Sequence, residues 1–259
     1  MGSIIVQIYE VQTPSEAQAL IEMGVDHIGS VVLSETEWKI PLIKETIQLT
    51  KTTPSKSSLI PLFSRKDLLF RSLDYYQPDI VHFCEILPAP ADNIETLENL
   101  IHLQESSRNL FPDIKIMRSI PIPPPETKSQ GAVFELVAMF EPVSDYFLTD
   151  TLLVKAEGSS GQQPVNGFVG ITGQICDWET AAELVDKSRI PVILAGGISE
   201  RNVFEGVLKV RPAGIDSCTR TNAVDSSGRT IRFKKDFNKI KRLVEEVRRA
   251  EALLKKPET

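Results

Sequence analysis

Eight times along its length this chain alternates a short β-branched run with a longer stretch of helical periodicity, and few folds accept that rhythm. The candidate strands are Ile4 to Ile8, His27 to Leu33, Ser58 to Phe63, Asp79 to Cys84, Ile114 to Ser119, Tyr146 to Thr149, Pro191 to Ala195 and Ala213 to Ser217. Most are rich in Val and Ile, which suits strands buried on both faces of a parallel sheet. Eight such units close into an α/β (β/α)8 barrel, the TIM-barrel architecture, and 259 residues suit one domain spanning 1–259. With 41% hydrophobic and 25% charged residues, the chain has apolar material for a large core without disulfides.

Helix signals support the alternation. Thr13 reads as an N-cap, Pro14 as the first helical residue and Glu16 as the second half of a capping box, ahead of a stripe of Ala17, Leu20 and Ile21. Ser199 opens a similar start before Val203 and Val207. The last helix, about Asp236 to Leu254, gathers Phe237, Ile240, Leu243, Val244 and Val247 on one side and a solvated basic face on the other. Two loops break the rhythm: proline-rich Pro121 to Pro125, and polar Glu157 to Gly167, which is either a mobile lid or a plain insertion. Both follow strands, and in a barrel such loops build the active-site face.

A net charge of -6 argues against nucleic acid or an anionic membrane as partner, since both require clustered positive charge. No run approaches the apolar length of a membrane span. Cys84, Cys176 and Cys218 lie far apart, with no apolar leader, so a cytoplasmic protein is expected rather than a disulfide framework. His82 and Cys84 share a strand face, but no ligand-like pair joins them, and neither a metal nor a cofactor is expected.

The chemistry-bearing residues fall mainly in the second half. Asp150 stands just past a buried strand, where a carboxylate is costly unless it faces a polar cavity. It reads as an acid or base, or as a helix cap or ion-pair partner. Gly170-Ile171-Thr172-Gly173-Gln174 is either a turn or a nest of backbone N–H groups for an anion. Leu194-Ala195-Gly196-Gly197-Ile198 runs from a strand through two glycines toward a helix, a natural phosphate site. Thr219 and Arg220 add a hydroxyl and a cation after the eighth strand, where barrels often hold phosphate. A small phosphorylated ligand is therefore the expected partner.

Taken end to end, the chain resembles the phosphoribosylanthranilate isomerase family, barrel enzymes of tryptophan biosynthesis. The resemblance is carried by Thr13-Pro14-Ser15-Glu16-Ala17, Met23 to Gly29, Asp145 to Thr151, Gly170 to Trp178, Pro191 to Gly197 with Asn202, Arg211 to Asp216, and Lys235-Asp236. It implies an Amadori rearrangement of an N-linked phosphoribosyl amine, with an aspartate after the sixth strand as general acid and a cysteine after the first as general base. Asp150 matches the acid. Where the resemblance implies cysteine and then glycine, this chain has Tyr9 and Glu10. A phenol with an ordinary pKa of about 10 is a poor base at neutral pH. Glu10 is the better substitute if burial raises its pKa.

Further departures lie in the same half of the site. Trp38, followed by Lys39, takes the place of the family's carboxylate-binding arginine, Cys84-Glu85 the place of its His-Gly, and Cys218-Thr219-Arg220 that of its Ser-Ser-Gly. Cys84, Arg118 and Trp38 are candidate substrate contacts; alternatively Glu10 and Glu85 pair with Arg118 or Lys39, and Cys84 is a small buried hydrophobe. The phosphate half and the acid match, whereas the base and aromatic half differ. That pattern favours an isomerase of altered base and substrate over a non-catalytic phosphosugar-binding protein or a true family enzyme with a substituted base.

Overall fold

The computed structural model describes residues 2–125, 131–153 and 164–255. In chain order they form β1 (Ile5–Ile8), α1 (Pro14–Glu22), β2 (His27–Val32), α2 (Pro41–Thr50), β3 (Lys56–Pro61), α3 (Lys66–Tyr76), β4 (Ile80–Phe83), α4 (Ile94–Leu110) and β5 (Lys115–Ile122). There follow α5 (Gly131–Phe140), β6 (Tyr146–Thr151), α6 (Trp178–Lys187), β7 (Val192–Leu194), α7 (Val203–Val210), β8 (Gly214–Ser217), β9 (Asn222–Val224), β10 (Thr230–Lys235) and α8 (Phe237–Leu254). Strands β1 to β8 pair in sequence, all parallel, and β8 returns to β1 with Gln7 beside Asp216, so the sheet closes into the expected (β/α)8 barrel.

Ile8, His27, Tyr146 and Ser217 bound their strands as expected, and the other strand ends differ by one to three residues. The largest difference is β5, which runs on through Pro121 and Ile122. Strand β4 pairs with β5 only as far as Arg118, so beyond that point one edge of β5 has no ladder and tolerates a residue without an N–H. Val31, Ile80, Met117, Leu148 and Ile193 come from strands that are not all neighbours yet pack in one cluster with Tyr9, which only the barrel lumen allows. A second, larger cluster, including Ile8, Phe147, Ile215 and Leu243, fills the layer between sheet and helices.

Register is reinforced by a repeated device at the amino ends. Asp26, Asp79 and Asp145 each precede an even-numbered strand, and each carboxylate accepts the backbone N–H of the strand before it, from Val6, Ser57 and Ile116 at 2.8, 2.8 and 2.9 Å. A charge-assisted bond of this kind contributes about 1.5–3 kcal/mol.

Thr13 caps α1 as expected, accepting from Glu16 N at 3.3 Å, but the Glu16 carboxylate accepts from Lys235 N at 3.1 Å, so the expected box forms only in part. The start expected at Ser199 falls later: Asn202 accepts from Ser199 N, and α7 begins at Val203. Phe237 is 40% exposed rather than part of the buried face of α8. Trp178, the first residue of α6, lies against Gly206 of α7, where a Cβ would meet its ring at 3.3 Å. The antiparallel hairpin β9–β10 was not expected. No helix among the described residues is long and apolar enough to cross a membrane.

Candidate active site

Two chambers open at the carboxyl ends of the strands. The outer one, about 330 Å³, is walled by the loop after β6, the loop after β7 and the turn after β8, and brings together Gly173, Gly196, Gly197, Thr219 and Arg220. Gly196 and Gly197 have φ of +81° and +63°. A Cβ on Gly197 would meet the backbone of Gln174 and Ile175 at 2.7 and 2.8 Å, so the two loops touch main chain to main chain and only glycine fits. Arg220 reaches across from the turn and donates from Nε to Gly173 O at 2.8 Å, tying the third wall to the first.

The inner chamber, about 470 Å³, descends into the lumen between Val31, Ile60, Leu62, Leu148 and Val169. Asp150, Ile171, Asp216 and Cys218 border both chambers. Asp150, expected just past the strand, is the penultimate residue of β6 and takes one bond from its neighbour Thr151 N at 2.8 Å. Gly170, at φ +102°, lies directly over it: a Cβ there would stand 2.2 Å from Asp150 Oδ2. Burial under this loop pushes the Asp150 carboxyl up to about 7, against the bond from Thr151.

Asp216 on β8 lies beside it. Burial raises its carboxyl to about 8, opposed by the bond from Gln7 and by Lys235, and reinforced by the charge of Asp150. Gln7 Nε2 donates to Asp216 Oδ1 at 3.2 Å, and Gln7 Oε1 pairs with His27 Nδ1 at 3.0 Å, a polar thread across the lumen floor. Sequence reasoning placed Asp216 only within the phosphate-side stretch; its alternation with buried Ile215 was the available signal that it faces inward.

The expected base candidates are both engaged. Tyr9 fills the space above Gly29, where a Cβ would stand 2.2 Å from its ring. Its hydroxyl bonds Ser58 Oγ at 2.5 Å and His82 Nδ1 at 2.9 Å, and His82 Nε2 bonds Ser119 Oγ at 2.8 Å. Burial pushes the Tyr9 phenol well above its ordinary value and lowers His82 to about 3, so both are neutral. Glu10 borders the inner chamber at φ +63°, a backbone setting that suits the glycine of the resemblance. Its Oε2 accepts from Asn222 Nδ2 at 2.8 Å and its Oε1 from Arg232 at 2.6 Å. Burial pushes its pKa up, but Asn222, Arg232 and Lys235 outweigh it and the net shift is downward, opposite to what a base here requires.

Cys84 borders the inner chamber as expected. Arg118 does not reach the mouth. It lies on the outer face of β5, fully buried, donating to Glu85 at 2.7 Å and Gln104 at 2.6 Å with its guanidinium 4.9 Å from the Phe140 ring. Glu85 therefore has the ion-pair role that was the alternative. Trp38 also lies outside both chambers, edge-on to Tyr75 with ring centres 5.8 Å apart. Of the loop expected at Glu157 to Gly167, residues 157–163 lie outside the described residues.

Fold and chambers together define a (β/α)8 barrel with a two-chambered mouth at the carboxyl ends of its strands. The family model described as N-(5'-phosphoribosyl)anthranilate (PRA) isomerase matches residues 134–246. N-(5'-phosphoribosyl)anthranilate isomerase 2 of Methanosarcina mazei is 32% identical over 155 residues, 57% of this chain and 60% of its own. The isomerase of Methanocella arvoryzae is 26% identical over 94% of this chain and 97% of its own. The phosphoribosylanthranilate isomerase structure from Pyrococcus furiosus aligns with a TM-score of 0.64 at 17% identity, covering 95% of this chain and 99% of that one. Another, in complex with reduced 1-(o-carboxyphenylamino)-1-deoxyribulose 5-phosphate, aligns with a TM-score of 0.63 at 16% identity, over 95% and 98%. The chain is thus similar to phosphoribosylanthranilate isomerases along nearly its whole length.

Proposed function

We propose that the chain binds a small phosphorylated sugar derivative across both chambers and isomerises it by an Amadori rearrangement, with Asp150 as general acid at the ring oxygen. The observation that carries this reading is the position of Asp150 on the border between the glycine-lined outer chamber and the apolar inner one. A phosphate among the backbone N–H groups, Thr219 and Arg220 would place the sugar at that border. A carboxyl near 7 is protonated often enough at neutral pH to donate. The ligand bound to a structural relative is the reduced form of a phosphorylated aminoketose, which supports the same class.

Tyr9 stands in place of the family's cysteine, so the reaction here uses a substituted base. Three free cysteines support a cytoplasmic location. The test is turnover of phosphoribosylanthranilate by the wild type and by Asp150→Asn, followed as loss of substrate fluorescence. Turnover that falls at least 100-fold in Asp150→Asn is expected, general acid catalysis being worth about 10²–10⁴. No turnover, with ribose 5-phosphate still raising the unfolding temperature, would instead favour the binding protein that the engaged state of Tyr9 and Glu10 makes the second reading.

A further inference from the structure

Removing a proton from carbon requires a group that borders the inner chamber with a lone pair not already committed. Tyr9 is committed twice, to Ser58 and His82, and both His82 nitrogens are committed, to Tyr9 and Ser119. Both Glu10 oxygens are held, by Asn222 and Arg232. Cys84 and Cys218 also border the chamber, but burial pushes both thiols far up, leaving almost no thiolate at neutral pH. Asp150 is the acid. One carboxylate is left: Asp216 borders both chambers, and only its Oδ1 is taken, by Gln7, while Oδ2 accepts no hydrogen bond among the described residues.

We propose that Asp216 is the base that takes the proton from C2 of the sugar, in the position of a catalytic residue on β8 rather than β1. The assignment rests on the isomerase reading above. Asp150 protonates the ring oxygen, the C1–O bond breaks, and the amine lone pair closes a C1=N iminium. Asp216 takes the C2 hydrogen as a proton; the electron pair left behind forms C1=C2, and the iminium π pair returns to nitrogen. The C2 hydroxyl proton then passes back to Asp150 and the proton on Asp216 goes to C1, giving the aminoketose with both carboxyl groups restored. Every atom is accounted for and no oxidant enters.

The groups facing Asp216 fit the role. Gln7 from β1 steadies one oxygen, Lys235 from β10 favours the charged form, and Asp150 from β6 disfavours a second charge, with Tyr9 and Cys218 neutral beside it. Of two neighbouring carboxyl groups that titrate near 7 and 8, Asp216 keeps its proton to the higher pH, so the productive form, with the proton on Asp150 and Asp216 charged, is the minor one of the singly protonated pair and the two share that proton as a coupled unit.

The deciding experiment measures kcat, KM and their pH dependence with phosphoribosylanthranilate and its C2-deuterated form, for the wild type, Asp216→Asn and Asp216→Glu. The proposal expects a bell-shaped wild-type profile and a primary isotope effect. It expects a kcat at least 100-fold lower in Asp216→Asn, which keeps its protection by ribose 5-phosphate, and partial recovery in Asp216→Glu. Turnover in Asp216→Asn within tenfold of the wild type, or loss of ribose 5-phosphate protection along with turnover, overturns the assignment. A wild type without turnover removes the isomerase reading itself, an outcome distinct from both.

Discussion

Tyr9 is the residue at which family resemblance and geometry part. A phenol at this place suggested a poor base; its partners give it a packing and hydrogen-bonding role instead, bridging Ser58 and His82 above Gly29. Tyr9→Phe keeps the ring but leaves two buried polar groups unpaired, which costs about 1–3 kcal/mol. The expected outcome is a protein destabilised by that amount in urea unfolding with kcat within a few-fold of wild type; a kcat loss of 100-fold or more would return Tyr9 to the chemistry. The places of Asp150, at the carboxyl end of β6, and of the glycines, Thr219 and Arg220, which follow strands, were legible in the sequence because the barrel fixes which end those positions occupy. Arg118 was not legible. In a strand buried on both faces nothing in the local pattern says whether Met117 or Arg118 turns inward, and only Glu85, Gln104 and the Phe140 ring settle it.

Among the elements, the eight barrel strands and their helices could be read because short apolar runs alternate with longer stretches of helical periodicity, although α2, α3 and α7 start without a side-chain cap. The hairpin β9–β10 could not. Strand β10, Thr-Ile-Arg-Phe-Lys-Lys, has a strand-like alternation, but it is short, mostly polar and runs directly into α8, so it reads as an approach to that helix. The hairpin is fixed to the barrel by Glu10, which binds Asn222 at one end and Arg232 near the other, and by Lys235, which donates to Asn222 and to Cys218 O. Glu10 holds this position at φ +63° although a non-glycine residue there costs about 1–2 kcal/mol. Glu10→Ala should therefore lower amide protection in Asn222–Val224 and Thr230–Lys235 while β2 to β6 keep theirs, read by hydrogen exchange. Uniform loss across the barrel, or no loss in the hairpin, would contradict that anchoring role.

Across the whole molecule, the buried titratable groups pull stability in opposite directions. His27 and His82, lowered by burial to about 4 and about 3, add stability that is present above their ordinary 6.5 and is lost as pH falls toward those values. Asp150 and Asp216, raised by burial to about 7 and about 8, add stability that is present below their ordinary 3.8 and is lost as pH rises through 7 and 8. Between about pH 4 and 6.5 the two sets oppose each other, and from 6.5 to 8 only the carboxyl groups act. Unfolding free energy should fall across that upper window, each carboxyl contributing at most about 1.4 kcal/mol per pH unit. Asp216→Asn should flatten the slope by about one proton, measured by urea unfolding at several pH values; an unchanged slope would show that Asp216 is ionised throughout. Trp178, seated on Gly206 at the foot of the outer-chamber loop, is one of two tryptophans, and Trp38 is packed on Tyr75 outside the chambers. The barrel thus carries a built-in pair of fluorophores, one beside the glycine-rich wall and one remote from it, so events at the mouth and changes elsewhere in the barrel have separate optical reporters.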